Sequence, residues 1–477
     1  CWIRTITLIS LNIMYFEEDD EKQLLQDFKA KIKKGETPYY DSVQMEIILE
    51  ELFLQMDQKY IPQAVALAIQ LFPNNMIFHL YKVKEHILKY ELDKAEETLN
   101  NIEHKYPPCS DIYMERIALM HLQNPSLDIS PLIKKALKLD PNNEDLRFML
   151  CLEYCKNGTI ENAIEQMKIL IPNDEFPEEH FADITSYMTI AEMLPNCYKF
   201  FQGLTEEFPL HAAVWCYFGV SCTLLEKLEE AIEAFQFSIA CDESYTMAHF
   251  MLGQAYFIDR QFEQAIKHLS ETLEDELYNH SAYRYFGDYE FLCGRYDEAL
   301  RYYRQSLDLS SSEFALCGII KTLTAMGKSD EAEPFVNQLI SETFITPDAF
   351  PDVCSILIDK GERDLIPTII DRTLTGYANY RNFFEDLFDF FLTKKEYQLG
   401  LDIFEIYLRL MDEHRIADDY YYYCAALNFL LNRNEIGISF LHDALLFNFE
   451  KHQEFLSWDP SFAENEKIID LIQKYKN

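Results

Sequence analysis

The sequence predicts an all-α solenoid of about twelve stacked helical hairpins. The first observation is a set of small residues that recurs at a 34-residue step: Gly219, Gly253 and Gly287, and then Ala231, Ala265 and Ala299. The second is that apolar residues between them recur at helical spacing, which places them on one face of each helix. The third is that the pattern continues through most of the chain, so that copies can stack and bury the face that one hairpin leaves exposed.

Each unit contains two helices whose contacts follow from the spacing. With Ala212 as position 1, positions 4, 7, 8 and 11 share one face of the first helix, and positions 20, 24 and 27 share one face of the second. This places Trp215, at position 4, in the core. Small residues at positions 8 and 20 let the backbones approach, and a large residue at position 24 fills the remaining space. Position 24 is apolar or aromatic in every unit: Val65, Leu99, Ile133, Met167, Phe201, Phe235, Leu269, Tyr303, Val336, Ile370, Phe404 and Leu441.

The units follow one another without insertion over most of the chain. They start at residues 42, 76, 110, 144, 178, 212, 246 and 280, and after a slip in register further units start near 313, 347, 381 and 418. Position 15, the turn between the helices, is glycine in several units: Gly158, Gly294, Gly327 and Gly361. Glycine there indicates a helix that ends in the left-handed backbone region.

The 34-residue period, with Trp215, Gly219, Ala231 and Phe235 at these positions and Pro209 near the end of a unit, resembles the tetratricopeptide-repeat (TPR) family. The resemblance is strongest over residues 212–313 and is to bacterial-type multi-repeat arrays. It implies a right-handed α-α superhelix with a helical cap at each end. It also implies an inner surface, lined by the first helices, that binds a peptide or a protein surface.

The register divides the chain into five expected segments. These are a non-native or disordered extension at 1–13, an N-terminal capping helix at 14–41, repeats 1–9 at 42–346, divergent repeats 10–12 at 347–451 and a C-terminal capping helix at 452–477. Met14 is the first methionine, which is why the extension is expected to end at residue 13.

Composition narrows the classes of partner. The chain has 477 residues, 48% of them hydrophobic, and a formal net charge of −39. Such a hydrophobic content can form a large core, and the negative charge argues against binding a nucleic-acid backbone. The 12 cysteines include no C-x-x-C pair and suit a reducing compartment, so we expect a cytoplasmic protein. No apolar run reaches the roughly 18 residues of a membrane helix, so we expect no membrane partner.

Motifs that would carry catalysis are weak in this sequence. Gly327-Lys328-Ser329 has Thr322 where a phosphate-binding loop needs its first glycine, and it falls at the turn between two helices. Cys151 and Cys155 lie one helical turn apart, but a metal site needs further ligands. We therefore expect no enzyme activity, no metal and no cofactor.

The resemblance implies that positions 2, 5, 9 and 12 of the first helices line an inner groove. Around repeats 7 to 9 these and neighbouring positions combine aromatic and polar residues: Phe250, Gln254, Phe257, Arg284, Asp288, Phe291 and Lys321. The Lys and Asn pattern with which some members hold a peptide's carboxyl terminus is absent. An extended peptide anchored by the aromatic residues would suit this surface. The alternative is that these side chains pack against neighbouring repeats.

A second, acidic surface is expected on the first helices of the last repeats. It comprises Asp348, Asp352, Asp359, Glu385, Asp386 and Asp389. A basic segment of a partner would be attracted to it, and the alternative is a solvated acidic face.

These observations predict a protein–protein interaction scaffold or adaptor without enzyme activity. The alternative is an accessory subunit of an enzyme complex, or an atypical enzyme, with the repeats docking a substrate protein. An RNA-reading helical repeat would need basic inner positions, which the charge opposes. The sequence leaves the partner and the oligomeric state open.

Overall fold

The computed structural model describes residues 18–173, 177–342, 349–370, 381–410 and 419–475. Over these ranges the chain forms α-helices and short 3-10 helices and no β-strand, which confirms the predicted all-α fold class. The expected extension at 1–13 lies outside the described residues. The chain divides into two compact units, Cys1–Met251 and Leu252–Asn477, here named the N-terminal unit and the C-terminal unit.

The N-terminal unit consists of helices that pack against their neighbours in the chain. They are α1 (Glu18–Lys33), α2 (Ser42–Leu54), α3 (Ile61–Leu71), α4 (Met76–Leu88), α5 (Leu92–Lys105), α6 (Ser110–Gln123), α7 (Ser130–Leu139), α8 (Glu144–Lys156), α9 (Ile160–Leu170), α10 (Pro177–Ile190), α11 (Leu194–Glu207), α12 (Ala212–Leu224), α13 (Leu228–Cys241) and the first part of α14 (Thr246–Ile258). Helix α2 begins with a capping box in which Asp41 and Gln44 bond each other's backbone. Consecutive helices form hairpins, and consecutive hairpins stack.

The core of this unit follows the predicted spacing on its second helices, whereas several predicted core positions of its first helices, such as Tyr113, Trp215 and Phe218, are only half-buried. The position-24 residues are buried: Val65, Leu99, Ile133, Met167, Phe201 and Phe235. A Cβ at Gly219 would lie 2.5 Å from the Phe235 ring, so only glycine lets this ring pass between the helices. Trp215, which the spacing places in the core, illustrates this departure. Its indole N–H donates to the carbonyl of Pro209 at 2.9 Å, and its ring stacks on the exposed Phe237 at 4.8 Å.

The C-terminal unit begins within α14 and continues as a series of helices that differ in length. Its helices are α15 (Phe262–Ser270), α16 (Asn279–Leu292), α17 (Tyr296–Leu309), α18 (Glu313–Ala325), α19 (Ser329–Glu342), α20 (Phe350–Lys360), α21 (Arg381–Lys394), α22 (Tyr397–Leu410), α23 (Asp419–Leu430), α24 (Asn434–Phe447), α25 (His452–Trp458), α26 (Pro460–Glu464) and α27 (Glu466–Tyr475). The tail expected as one capping helix is thus three short helices. Asp459 caps the second of them, accepting from the Ser461 N–H at 2.9 Å.

Tyr303 is the central packing residue around α16, α17 and α18. A Cβ at Gly287 would lie 2.6 Å from its ring, and a Cβ at Gly318 would lie 2.4 Å from it. The ring therefore occupies a slot between two first helices that both need glycine at the contact. Gly287 belongs to the 34-residue pattern, whereas Gly318 comes from the next hairpin.

The turn at position 15 adopts the left-handed conformation in most units, whether or not it holds glycine. Gly158, Gly294, Gly327 and Gly361 have φ between 70 and 79°, as the sequence predicts. Non-glycine residues take the same conformation at the equivalent turn of other units: Met56, Tyr90, Glu192, Glu226, Arg260, Lys395 and Asn432, with φ between 51 and 60°. The backbone geometry of the hairpin thus overrides side-chain preference there.

Candidate partner-binding groove

Three first helices of the C-terminal unit carry most of the residues predicted to line the inner surface. The C-terminal part of α14 provides Gln254 and Phe257, α16 provides Arg284, Asp288 and Phe291, and α18 provides Lys321. All six side chains are half-buried rather than enclosed. We name this set the central groove.

Phe250 lies on α14 but within the N-terminal unit, and it is only 7% exposed. Its ring therefore has little surface left for a partner, as expected if it packs in the interior.

Aromatic contacts connect the three helices of the central groove. The ring of Phe257 lies 5.1 Å from the ring of Tyr285, which joins α14 to α16. The guanidinium carbon of Arg284 lies 3.6 Å from the Tyr285 ring centroid and 5.4 Å from that of Phe314, which joins α16 to α18. The Lys321 ammonium lies 5.6 Å from the Phe291 centroid. Both cations of the groove are thus held against aromatic rings.

Arg284 is tightly held within this set. Its Nη1 donates to Oδ2 of Asp288 at 2.6 Å, and its side chain is 19% exposed. Burial alone would lower the pKa of Arg284, but the neighbouring charge of Asp288 outweighs it, so that the pKa is raised. The guanidinium therefore stays charged while little of the side chain is exposed to solvent.

A buried residue of the core, Tyr303, fixes the orientation of Asp288. The hydroxyl of Tyr303 donates to Oδ1 of Asp288 at 2.7 Å, while Oδ2 accepts from Arg284. Tyr303 is 2% exposed. The sequence analysis did not identify Tyr285, Tyr303 or Phe314 as groove residues. The one available signal was that Tyr303 is the single position-24 residue that carries a hydroxyl.

The predicted acidic surface is described in part. Asp352 lies half-buried on α20, and Asp359, Glu385 and Asp389 are exposed on α20 and α21. Asp348 and the side chain of Asp386 lie outside the described residues. Nearby cations have partners of their own: Lys360 pairs with Glu333, Arg363 pairs with Glu396 at 2.7 Å, and Lys394 donates to Ser355 Oγ at 2.7 Å.

A further set of acids, which the sequence analysis missed, lies on first helices of the N-terminal unit. Glu115 is 5% exposed and lies 3.5 Å from the ammonium of Lys84. Burial raises the pKa of Glu115 and of Asp111, and it raises the pKa of Asp145 to about 6. Asp111 and Asp145 both occupy position 2 of their repeats, which is the signal that could have found them.

The described chain contains no group of three His, Cys, Asp or Glu side chains placed to hold a metal ion. Within the described ranges no helix is both long and apolar enough to traverse a bilayer. Cys151 and Cys155 are buried and unpaired, and burial raises the pKa of Cys151.

Comparisons with known proteins give one family model and several solved structures, each of which matches part of the chain. Residues 248–313 match the family model described as Tetratricopeptide repeat. A tetratricopeptide repeat protein from Parabacteroides merdae is 14% identical, covering 51% of this chain and 96% of that one, with a TM-score of 0.39. A thermophilic TPR protein from Thermus thermophilus is 18% identical, covering 38% of this chain and 99% of that one, with a TM-score of 0.32.

YrrB, described as a TPR protein with an unusual peptide-binding site, is 18% identical, covering 39% of this chain and 96% of that one, with a TM-score of 0.29. No curated protein sequence matches the chain. The family match coincides with the stretch where the 34-residue period is strongest, and the period corresponds to helix pairs that pack in sequence. The predicted resemblance to the tetratricopeptide-repeat family is thus confirmed for the matched stretch, residues 248–313.

Proposed function

We propose that this protein is a non-enzymatic interaction scaffold whose central groove binds an extended segment of a partner protein. The observation that carries the proposal is the half-exposed state of Phe257 and Phe291, which lie beside charged residues on three adjacent first helices. Aromatic side chains that are neither enclosed nor fully solvated are typical anchors for a docked segment. Repeat proteins of stacked hairpins use such surfaces for binding.

The partner is proposed to be a protein rather than a nucleic acid, and the setting is proposed to be the cytoplasm. A net charge of −39 opposes a phosphate backbone. The cysteines along the described helices form no disulfide, which fits a reducing compartment.

A second contact is proposed for a basic segment at the exposed acids Asp359, Glu385 and Asp389. It is supported by their exposure. Titration with a short lysine-rich peptide at low and high salt tests it, because attraction between exposed charges weakens as salt is added. Binding that is indifferent to salt, or absent, would remove this contact from the proposal.

The experiment for the central groove uses adjacent residues as matched pairs. Phe257→Ser with Phe291→Ser alters the groove, and Ile258→Ser with Leu292→Ser alters the exposed residues that directly follow on the same two helices. Both variants and the unaltered chain serve as bait in the lysate of the source cells, with melting curves recorded for each.

We expect the control variant to retain the proteins captured by the unaltered chain and the groove variant to lose them. Equal capture by both variants would contradict the groove. Turnover of a substrate by the purified chain alone would contradict the non-enzymatic assignment.

A further inference from the structure

We propose that Arg284 binds a side-chain carboxylate of the partner, within a segment whose neighbouring side chains are apolar. The inference rests on the proposed function and specifies the chemistry of the partner at the central groove. It concerns an internal acidic side chain of an extended segment, not a chain terminus.

The first support is that the guanidinium is fixed before any partner arrives. Asp288 holds Nη1 at 2.6 Å, and the Tyr285 ring covers one face at 3.6 Å. A guanidinium carries five N–H donors in a planar fork, and these contacts engage part of that fork. A donor held in one orientation loses little conformational entropy when it binds, which favours affinity.

The second support is the connection from the core to the groove. Tyr303 fills the slot between Gly287 and Gly318, and its hydroxyl reaches Oδ1 of Asp288 at 2.7 Å. Asp288 in turn fixes Arg284. Twelve residues occupy position 24, and only this one could form such a bond, because the other eleven lack a hydroxyl. The core of this repeat thus positions a surface cation, and Tyr303 and Asp288 are positioning residues.

The third support is the surroundings of the cation. Phe314 is 44% exposed and lies 5.4 Å from the Arg284 guanidinium, so apolar surface adjoins the charge. Lys321 adds a second cation, placed against Phe291 on the same face. Arg284 and Lys321 together with Asp288 give the central groove a charge of +1, whereas the chain as a whole carries 81 acidic and 42 basic residues. Charge complementarity therefore favours an acidic segment of the partner. Apolar side chains of the same segment would contact Phe257, Phe291 and Phe314.

The test uses the full chain and three short fluorescent peptides with acetylated and amidated ends. One alternates Glu with Leu, the second replaces Glu with Gln, and the third replaces Glu with Lys. Anisotropy titrations should show the Glu peptide binding about tenfold or more tightly than the Gln peptide, since a charged hydrogen bond is stronger than a neutral one. Added salt should reduce this difference.

Variants assign the difference to the groove. Arg284→Gln and Lys321→Gln should each reduce the preference for Glu, whereas Arg301→Gln and Lys328→Gln remove exposed cations on α17 and at the turn before α19, and should leave it unchanged. Tyr303→Phe should weaken the Glu peptide several-fold and leave the Gln peptide unaffected. A purely structural role of Tyr303 would instead affect both peptides equally.

Each contrary result overturns the inference. These results are equal binding of the Glu and Gln peptides, tighter binding of the Lys peptide, loss of preference in the control variants, or no binding of any peptide. None of them decides the scaffold proposal, which the bait experiment with Phe257 and Phe291 tests separately. If that experiment fails while the Glu peptide still binds at Arg284, the carboxylate site stands without the proposed anchors.

Discussion

The phenolic hydroxyl of Tyr303 donates a 2.7 Å hydrogen bond to Asp288, which links a fully enclosed core residue to a residue of the central groove. The same Asp288 accepts from Arg284 at 2.6 Å. Packing in the interior of one repeat thereby determines where a charge is presented on its surface.

Removing only the hydroxyl of Tyr303 should destabilise the protein. Tyr303→Phe keeps the ring in its slot and deletes a hydrogen bond to a carboxylate, so we expect a loss of about 1–2 kcal/mol in the free energy of unfolding. Chemical denaturation measures it. Tyr302→Phe, at the neighbouring half-buried residue of the same helix, should change stability by less than about 0.5 kcal/mol. Equal losses in both variants would contradict a special role for the Tyr303 hydroxyl.

The slot around Tyr303 predicts a coupling between substitutions. Gly318→Ala places a Cβ 2.4 Å from the ring and should cost about 1–3 kcal/mol through overpacking. In a Tyr303→Leu background, the same Gly318→Ala change should cost less, because the aromatic ring that it meets is gone. Thermal melts of the two single variants and the double variant measure the coupling. Simple additivity would show that the two residues do not share the slot.

The left-handed turns predict which substitutions raise the free energy of unfolding and which lower it. Tyr90 has a φ of 59° and an exposed side chain, so Tyr90→Gly relieves an unfavourable backbone conformation at little cost in packing. We expect a gain of about 0.5–1 kcal/mol in unfolding free energy. Gly294→Ala, at the equivalent turn with a φ of 73°, should lose a similar amount. Denaturant titration of both variants checks the signs, and two changes of the same sign would be inconsistent with strain at this turn.

The raised pKa of Asp145 predicts that the stability of the protein depends on pH. Burial raises its pKa to about 6, above the roughly 3.9 of an unfolded aspartate. A raised pKa means that the folded state binds the proton more tightly. The protonated Asp145 therefore contributes fully to the stability of the fold at pH values below the pKa of the unfolded aspartate. This contribution is lost as the pH rises through 6. Asp145→Asn should therefore raise the melting temperature at pH 8 more than at pH 4, whereas Glu161→Gln, at an exposed residue of α9, should not. A pH-independent effect of Asp145→Asn would contradict the raised pKa.

The helical hairpins could be predicted because their contacts repeat. A small residue at position 8 and a large one at position 24 must meet wherever the period is 34, and Gly219 with Phe235 meets as expected. Trp215 departs from the pattern because its ring bonds to the carbonyl of Pro209 and stacks on the exposed Phe237. Phe250 departs from it because the same face of a first helix supplies both interior and groove residues.

The groove network could not be predicted from the period. The bond from Tyr303 to Asp288 depends on the direction in which a side chain of a second helix extends past the first helix, and spacing along the chain does not fix that direction. Arg284 was predicted as a groove residue, but its contacts with Tyr285 and Phe314 come from neighbours at positions that the repeat pattern leaves unspecified. Repeat sequences thus specify the scaffold more completely than they specify its binding surface.

Site-specific photo-crosslinking tests the central claim most directly. A photoreactive phenylalanine analogue is placed at Phe314, beside Arg284, or at Phe237, which is similarly exposed but stacked on Trp215 in the N-terminal unit. Irradiation in the lysate of the source cells should yield a partner adduct from position 314 that Arg284→Gln reduces, and no such adduct from position 237. The same adducts from both positions, or none from position 314, would contradict a partner-binding groove on the first helices of the C-terminal unit.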